Sequence, residues 1–244
     1  MPTIQNKLIR HQIFLERFAD TLARIMLEGI DRARDTAILE LVNGPSVINT
    51  ASLQKSLESI ISRRMEDALD EVKELSGYEA EFNERILKKE LEEVASATET
   101  AILAALLNKP MPVGLADKST NRKIESAYDK FAQQSARQLI QPIKDAQVLG
   151  GDSLEAAAAI AALAAGLLSA QSKSLSRSSV VHSANTSKEE VYKVNPISQV
   201  EWVSVLDSNT TDYCRGQDGK KYDIGSGPRP PAHYNCRSIT RPLI

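Results

Sequence analysis

Hydrophobic residues recur at helical spacing through most of the first 170 positions, and this pattern constrains the fold more than any other feature of the sequence. The first such stripe extends from Ile4 to Val42 and stops at Asn43-Gly44-Pro45. Residues three and four positions apart share one face of a helix, so the stripe predicts a long amphipathic helix that ends at Asn43. Gly29 marks a point at which this helix could break.

Two further stripes follow the first one. The second extends from Leu53 to Leu75 at close to heptad spacing and stops at Ser76-Gly77, and the third extends from Phe82 to Leu106 and stops at Asn108-Lys109-Pro110. Glycine and proline are poor residues for a helix interior, which favours helix ends at both places. Three stripes of this kind predict a helical bundle or a coiled-coil-like stalk.

A second helical region is predicted beyond residue 109. Pro110 to Thr120 is rich in proline and glycine and indicates a loop, after which the helical period restarts at Ile124. Asp152, with Glu155 three residues later, has the pattern of a helix N-cap. An alanine-rich helix to about Ser169 should follow this cap. The serine-rich stretch 171–186 is either a linker or a polar helix.

The periodicity changes near the C-terminus. Val200 to Leu206 is rich in β-branched and aromatic residues and predicts a strand, and Lys221–Ile224 and Ile239–Thr240 are weaker strand signals. The fold class expected is therefore mainly α, an elongated helical bundle region followed by a small C-terminal α+β domain. The predicted segments are 1–108, 109–195 and 196–244. A unit as small as the last one needs a staple or a host surface to be stable.

Charge and composition exclude several classes of partner. The 30 basic and 32 acidic side chains give a net charge of -2, so contact with DNA is not indicated by charge and would have to be local. The apolar run from Ala156 to Leu168 is too short to cross a bilayer, so we expect no membrane anchor. The N-terminus has no secretory signal pattern, which favours synthesis in a cytoplasm.

The densest cluster of reactive residues lies in the C-terminal segment. Both cysteines of the chain, Cys214 and Cys236, lie there together with His233. Thiolates and imidazoles are ligands that zinc prefers, and the His-x-x-Cys spacing allows one turn to present two ligands. The sequence therefore predicts a zinc site, with Asp207, Asp212, Asp218 or water as fourth ligand.

Other interpretations of these residues stay open. The two cysteines are equally compatible with a Cys214–Cys236 disulfide or with two thiols buried in a small core. A Cys/His nucleophile pair is disfavoured, because neither a third orienting residue nor an oxyanion-hole pattern is visible.

The same segment resembles the C-terminal domain of the phage head-morphogenesis family, the Mu F-like minor head proteins. The resemblance is carried by an Asp-x-x-Thr…Cys…Asp-Gly-Lys pattern followed by Pro-Pro-x-His-x-Asn-Cys-Arg. Together with the metal candidates, the motif residues are Trp202, Asp207, Thr210, Asp218, Gly219, Lys220, Pro230, Pro231, Asn235 and Arg237. The likeness covers residues 175–244, including a segment from Leu175 to Asn185 that resembles the helix preceding this motif in the family.

The chain departs from the family pattern at two positions. Many members of the family carry a further cysteine three residues before the first one and another two residues after the second. Here these positions are Thr211 and Ser238. This leaves Cys214, His233 and Cys236 as a reduced ligand set.

The resemblance implies a structural role and no enzymatic activity. It implies a minor capsid protein of a tailed phage, made in the host cytoplasm and located at the portal or inside the head, with the portal protein and major capsid protein as partners. It also implies homo-oligomers in the particle and a contribution to head assembly or DNA ejection. The alternatives are a head-tail adaptor or ejection protein, and a metal-dependent maturation enzyme.

Overall fold

The computed structural model describes residues 4–43, 48–113 and 120–244, and helices hold most of them. The helices are α1 (Ile4–Asn43), α2 (Thr50–Leu87), α3 (Glu99–Asn108), α4 (Ile124–Leu149), α5 (Ser153–Lys193) and α6 (Asp212–Gln217). The strands are β1 (Met111–Val113), β2 (Thr120–Arg122), β3 (Gln199–Val203), β4 (Lys221–Asp223) and β5 (Ile239–Leu243). The expected class, mainly α with a small C-terminal strand region, is confirmed.

Helix α1 ends at Asn43 as predicted, but it does not break at Gly29. A Cβ atom at Gly29 would lie 3.0 Å from Cβ of Arg64 on α2. The glycine therefore allows the two helices to approach closely, and the neighbouring Ile30 is fully buried. Gly44 and Pro45, which complete the predicted stop signal, lie outside the described residues.

The predicted helix end at Ser76-Gly77 is wrong, because α2 continues to Leu87. The hydroxyl of buried Ser76 donates to the carbonyl of Lys73 at 2.6 Å, so its polar group is satisfied inside the helix. A glycine in a helix costs only about 1 kcal/mol. The buried residues Leu75 and Ala80 on either side outweigh this cost.

The third predicted stripe is consequently divided between two helices. Its first part belongs to α2, and its last part forms α3, whose N-cap Thr98 accepts a hydrogen bond from the backbone N–H of Ala101 at 3.2 Å.

The predicted loop from Pro110 to Thr120 is also partly wrong. Met111–Val113 and Thr120–Arg122 pair as antiparallel strands, while residues 114–119 lie outside the described part of the chain.

Helix α5 unites two segments that the sequence analysis treated separately. Asp152 is the N-cap, as predicted, and its side chain accepts from the backbone N–H of Leu154 at 3.0 Å. The helix passes through a π-helical turn, Ala164–Leu168, into the serine-rich segment, which is helical and mostly buried. Serine hydroxyls satisfy themselves by donating to the carbonyl four residues earlier, as in Ser179 to Leu175 at 2.9 Å.

By length and composition, α5 is the one helix in the described ranges that could cross a membrane. The prediction of no membrane anchor rested on the short apolar run within it. The core helices of globular proteins meet the same criterion, and the second half of α5 carries buried residues such as Val180, Val181 and Ala184.

The C-terminal strands form a sheet in the order β4-β3-β5, and both pairings are antiparallel. Trp202 on the central strand β3 lies opposite Thr240 on β5. The three strand predictions are confirmed, with β3 ending at Val203.

The chain divides into two compact units, each assembled from segments that are distant in sequence. Unit 1 comprises Met1–Asp20, Glu71–Ile124 and Ser174–Ile244, and unit 2 comprises Thr21–Asp70 and Glu125–Lys173. The three consecutive segments predicted from the sequence group the residues differently, since unit 1 takes parts of all three. A core cluster in unit 1 comprises Ala80, Leu87, Ile102, Val191, Tyr192 and Ile197.

Candidate metal centre

Strand β3 places Trp202 against the two cysteines of the Cys/His site. The indole is fully buried and packs with Cys214 and Cys236 in one hydrophobic cluster. Its Nε1–H donates to Oγ of Ser204 at 2.8 Å, so the polar edge of the ring is satisfied. The site is therefore built around a rigid aromatic anchor.

The short helix α6 presents Cys214. Thr211 caps the helix, its hydroxyl accepting from the backbone N–H of Cys214 at 3.3 Å. The following residues close the turn back to the sheet, since Gly219 has φ 77° and its N–H donates to the carbonyl of Trp202 at 2.9 Å. A left-handed φ favours glycine, which explains the Asp-Gly-Lys pattern.

The other two members of that pattern act at the same turn. The carboxylate of Asp218 accepts from the backbone N–H of Ser204 at 2.7 Å. The carbonyl of Lys220 accepts from the N–H of Trp202 at 2.8 Å. Asp218 and Lys220 thus connect β3 to the end of α6.

The segment after the cis peptide bond between Pro230 and Pro231 presents His233 and Cys236. The Nε2 atom of His233 lies 3.0 Å from Sγ of Cys214, and the two Sγ atoms lie 3.7 Å apart. All three potential ligand atoms lie within 4.8 Å of one another. The structure therefore brings together the three residues predicted as metal ligands.

The orientation of His233 suits a metal ligand. Its Nδ1 lies 3.0 Å from the carbonyl oxygen of Tyr234, and a carbonyl can only accept, so Nδ1 carries the proton. In the neutral ring this leaves the lone pair on Nε2, which faces Cys214. A backbone carbonyl on the far nitrogen is a common way of fixing a metal-binding histidine.

The two cysteines are both free, because 3.7 Å is far longer than the roughly 2.05 Å of a disulfide bond. A hydrogen bond with Cys236, together with burial, raises the pKa of Cys214. The same hydrogen bond lowers the pKa of Cys236 against the effect of burial. A hydrogen bond with Cys214 raises the pKa of His233. The shared hydrogen bond therefore makes Cys236 the more acidic thiol of the pair.

The turn after β3 is tied to the end of the Pro-rich segment. Arg237 donates to both carboxylate oxygens of Asp207 at 2.6 Å, and this holds the pKa of that carboxyl well below its usual range. Asp207 Oδ1 also accepts from the N–H of Asn209 at 2.9 Å, and the hydroxyl of Thr210 bonds to the carbonyl of Val205. The Asp-x-x-Thr pattern thus forms a self-bonded turn.

Asn235 connects the site to helix α5. It has φ 64°, a left-handed conformation that asparagine tolerates better than most residues. Its N–H donates to Oγ of Ser178 at 2.9 Å, and its Oδ1 accepts from Arg177 at 2.8 Å. Helix α5 is therefore the host surface that the small C-terminal region requires.

The two positions at which the chain departs from the family pattern both border the site. The hydroxyl of Thr211 lies 3.0 Å from Nε2 of His233, and Oγ of Ser238 lies 3.1 Å from Oγ of Ser204. Thr211 and Ser238 also line a small cavity beside Cys214 and His233. Cysteines at these positions would extend the cluster of ligands.

The prediction that an aspartate supplies the fourth ligand is not supported by the geometry. Asp207 is paired with Arg237, and Asp218 bonds to the backbone of Ser204. Within the described ranges, the group of potential ligand atoms formed by Cys214, His233 and Cys236 contains no carboxylate oxygen. Asp212 therefore does not belong to this group. An uncharged oxygen does lie beside the ligand atoms, since the hydroxyl of Thr211 is 3.0 Å from His233 Nε2.

Sequence reasoning missed the residues that support the site. Ser204 links Trp202 to the carbonyl of Cys214 at 2.8 Å, and Asn185 on α5 accepts from the N–H of Thr240 on β5 at 3.1 Å. The sequence signal for the role of Ser204 is its position two residues after Trp202. Asn185 ends the segment that resembles the helix preceding the motif in the family, but nothing in the sequence indicated that its side chain would bond to β5.

Comparison of the chain with family models, curated proteins and solved structures finds no match in any of the three. The likeness to the head-morphogenesis family therefore rests on the motif residues in 175–244.

Proposed function

We propose that this chain is a minor capsid or head-morphogenesis protein of a tailed bacteriophage, a structural virion component at the portal or inside the head. Its partners would be the portal protein and the major capsid protein, and it would act in head assembly and in DNA ejection. The observation that carries the proposal is that the family-like motif behaves as one structural unit. Five motif residues hold in place the Cys/His centre or the segments that support it, and these are Trp202, Asp207, Gly219, Asn235 and Arg237.

We further propose that the centre binds one structural Zn²⁺ through Cys214, His233 and Cys236. Two sulfur ligands on a tetrahedral zinc ion lie about 3.8 Å apart, and the two Sγ atoms here are 3.7 Å apart. Nε2 of His233 already faces the thiols. When bound, zinc would cross-link α6 to the Pro-rich segment, a staple of the kind that small domains use.

A structural role fits the surroundings of the centre better than a catalytic one. The cavity beside Cys214 and His233 has a volume of about 20 Å³, which is room for about one water molecule. The far nitrogen of His233 is held by a backbone carbonyl, and Cys236 is fully buried. A maturation enzyme would need space for a polymeric substrate at this position.

The virion proposal is tested by locating the protein. Mass spectrometry of purified procapsids and mature virions from the source phage should find it at a constant copy number in at least one of them. A gene next to those for the portal and major capsid proteins would agree with this. Absence from both kinds of particle would overturn the proposal.

The zinc proposal is tested on the full chain purified without chelators. Elemental analysis should find one zinc per chain in the wild type and in the matched variant Asp212→Asn, and close to none in His233→Ala or Cys236→Ser. Chelation should lower the melting temperature of the wild type and leave that of His233→Ala unchanged. A folded, metal-free wild type that Zn²⁺ does not stabilise would rule the site out.

A further inference from the structure

A groove in unit 1 lies between α2 and the segment that contains α3, and we name it the acidic groove. Its volume is about 480 Å³. The large or small apolar side chains that line it are Ala80, Ala97, Ile102 and Leu103. The charged residues that line it are Glu74, Glu81, Glu84, Glu99 and Lys73. The groove therefore combines apolar side chains with four carboxylates and one ammonium group.

The four carboxylates of the acidic groove have no counter-ion. None of them forms an ion pair with another residue in the part of the chain that the structure describes. Glu84 is the most enclosed of them, with an exposed fraction of 9%, and it accepts only an uncharged hydrogen bond, from the hydroxyl of Ser96 at 2.9 Å. A carboxylate buried to this extent is normally paired with a cation. A cationic ligand would supply the partner that Glu84 lacks.

The basic residues close to the groove in sequence do not reverse its charge. Arg85 lies over the ring of Tyr78, 5.9 Å from the ring centroid. Lys88 and Lys89 are exposed just after α2 ends. From Lys73 to Leu103, the range that holds the whole lining, the sequence contains eight acidic and four basic residues. The groove and the segment that forms it are therefore net acidic with every basic residue counted.

This lining distinguishes between the candidate occupants. Nucleic acids and the surfaces of cellular membranes are anionic, so the net negative charge disfavours both. A single metal ion is disfavoured as well, because the group of potential metal ligands found among the described residues is the Cys/His centre and not these carboxylates. Lysine and arginine carry their charge at the end of an apolar stem. A segment with such side chains matches both the apolar and the acidic residues of the groove.

Gly77 keeps the groove open. It lies inside α2 and lines the groove, and a Cβ atom at this position would have no heavy atom within 4 Å. A glycine in a helix costs about 1 kcal/mol relative to alanine, and no contact within the described residues requires a glycine here. The missing side chain leaves room for a ligand to approach the backbone of α2.

We infer that the acidic groove binds a segment of another protein that carries lysine or arginine. The apolar stems of these side chains lie against Ala80 and Ile102, and their charged ends pair with Glu81 and Glu84. The segment passes over Gly77, where α2 has no side chain. This inference does not depend on the virion proposal or on zinc, because no residue of the groove belongs to the motif in 175–244.

The test uses the full chain and two synthetic peptides, with binding followed by fluorescence anisotropy. One peptide alternates lysine with serine, and the other alternates glutamate with serine. The lysine peptide should bind, and it should bind more weakly as salt is raised. The glutamate peptide should not bind. Failure of the lysine peptide to bind the wild type at low salt would overturn the inference.

The variant Gly77→Leu assigns the binding to the groove. Leucine has a higher helix propensity than glycine, so the fold should be kept while the side chain fills the groove. We expect binding to weaken about tenfold or more. The matched control is Gly166→Leu, because Gly166 also lies inside a helix with open space around the position of its Cβ, but in unit 2. The control should bind like the wild type.

A second pair of variants tests the charge. Glu81→Gln combined with Glu84→Gln removes two negative charges, and the glutamine at position 84 can still accept from Ser96. This variant should bind more weakly and with a smaller salt dependence. Glu40→Gln combined with Glu66→Gln removes the same charge from exposed positions in unit 2 and should leave binding unchanged.

Two further results would overturn the inference. Equal binding by Gly77→Leu and the wild type would place the peptide elsewhere on the molecule. Self-association of the wild type that Gly77→Leu abolishes, measured by light scattering, would identify a second copy of the chain as the occupant.

Discussion

Arg237 donates two hydrogen bonds of 2.6 Å to the two carboxylate oxygens of Asp207, thirty positions earlier in the chain. This pair connects the turn after β3 to the residue that follows Cys236. A bidentate arginine-carboxylate pair fixes orientation as well as distance. The ion pair therefore sets how the His233-to-Cys236 turn faces α6.

We predict that Asp207→Asn lowers the melting temperature, because the asparagine keeps only part of the pairing with Arg237. The loss should shrink at high salt, since the pair is partly exposed. Below the pKa of the unfolded aspartate, the unfolded wild type takes up a proton that folded Asp207 does not, so the stabilisation by the pair is lost progressively. The two proteins should therefore converge as pH falls toward the low pKa of folded Asp207. The control is Glu66→Gln, which removes one negative charge at an exposed position in unit 2. An equal fall in melting temperature in this control would contradict the prediction.

The buried indole of Trp202 should contribute strongly to stability. We expect Trp202→Ala to reduce the free energy of unfolding by about 3–5 kcal/mol, the usual cost of deleting a buried aromatic ring. Trp202→Phe should cost less, because it keeps most of the packing against Cys214 and Cys236 and loses the hydrogen bond to Ser204. Urea denaturation gives both values. A change below about 1 kcal/mol for the alanine variant would show that the ring is not a core anchor.

A third cysteine at residue 211 should strengthen the metal centre. The hydroxyl of Thr211 lies 3.0 Å from Nε2 of His233, so Thr211→Cys would place a thiolate beside the three ligands. We expect the affinity for Zn²⁺ to rise roughly tenfold or more in a competition titration with a chelator. Ser208→Cys adds a thiol outside the centre and should leave the affinity unchanged. Equal affinities for Thr211→Cys and the wild type would argue against this geometry.

Stability should fall in mild acid because of His182. Burial lowers the pKa of this imidazole to about 4, while Nε2 lies 3.1 Å from the carbonyl of Leu106. In the unfolded chain the His182 imidazole takes up a proton near its ordinary pKa of about 6.5, whereas in the folded chain it does not. The stability that His182 contributes is therefore present above this pH and is lost as pH falls toward 4.

The loss attributable to His182 should reach about 3 kcal/mol at pH 4, from a pKa difference of about 2.5. The variant His182→Gln cannot take up a proton and should therefore show a flatter pH dependence of the free energy of unfolding between pH 6.5 and 4. Parallel curves for the wild type and the variant would contradict the assignment to this residue.

The sequence predicted those parts of the fold that depend on local pattern. The helical period located α1 and its end at Asn43, the Asp152 cap located the start of α5, and β-branched residues located β3. Local capping and periodicity act over a few residues, so a sequence reveals them without the rest of the molecule. The grouping of Cys214, His233 and Cys236 was visible for the same reason, as a dense motif.

The local pattern misled where packing outweighs a small intrinsic cost. Gly77 favours a helix end by its intrinsic propensity, yet the cost of about 1 kcal/mol is smaller than the gain from burying the apolar residues on both sides. The serine-rich stretch was compatible with a linker as well as with a polar helix, because serine favours caps and turns. In the structure its hydroxyls bond to the helix itself, to Asn235 or to the carbonyl of Val72 on α2, so the segment can be buried.

By itself the sequence determined the mainly α class, the strands of the C-terminal region and the identity of the three candidate ligands. Only the tertiary structure decided that Thr211 and Ser238 border the centre and that α5 supports it. These relationships join positions far apart in the chain. They depend on which surfaces pack together, and no local pattern records that choice.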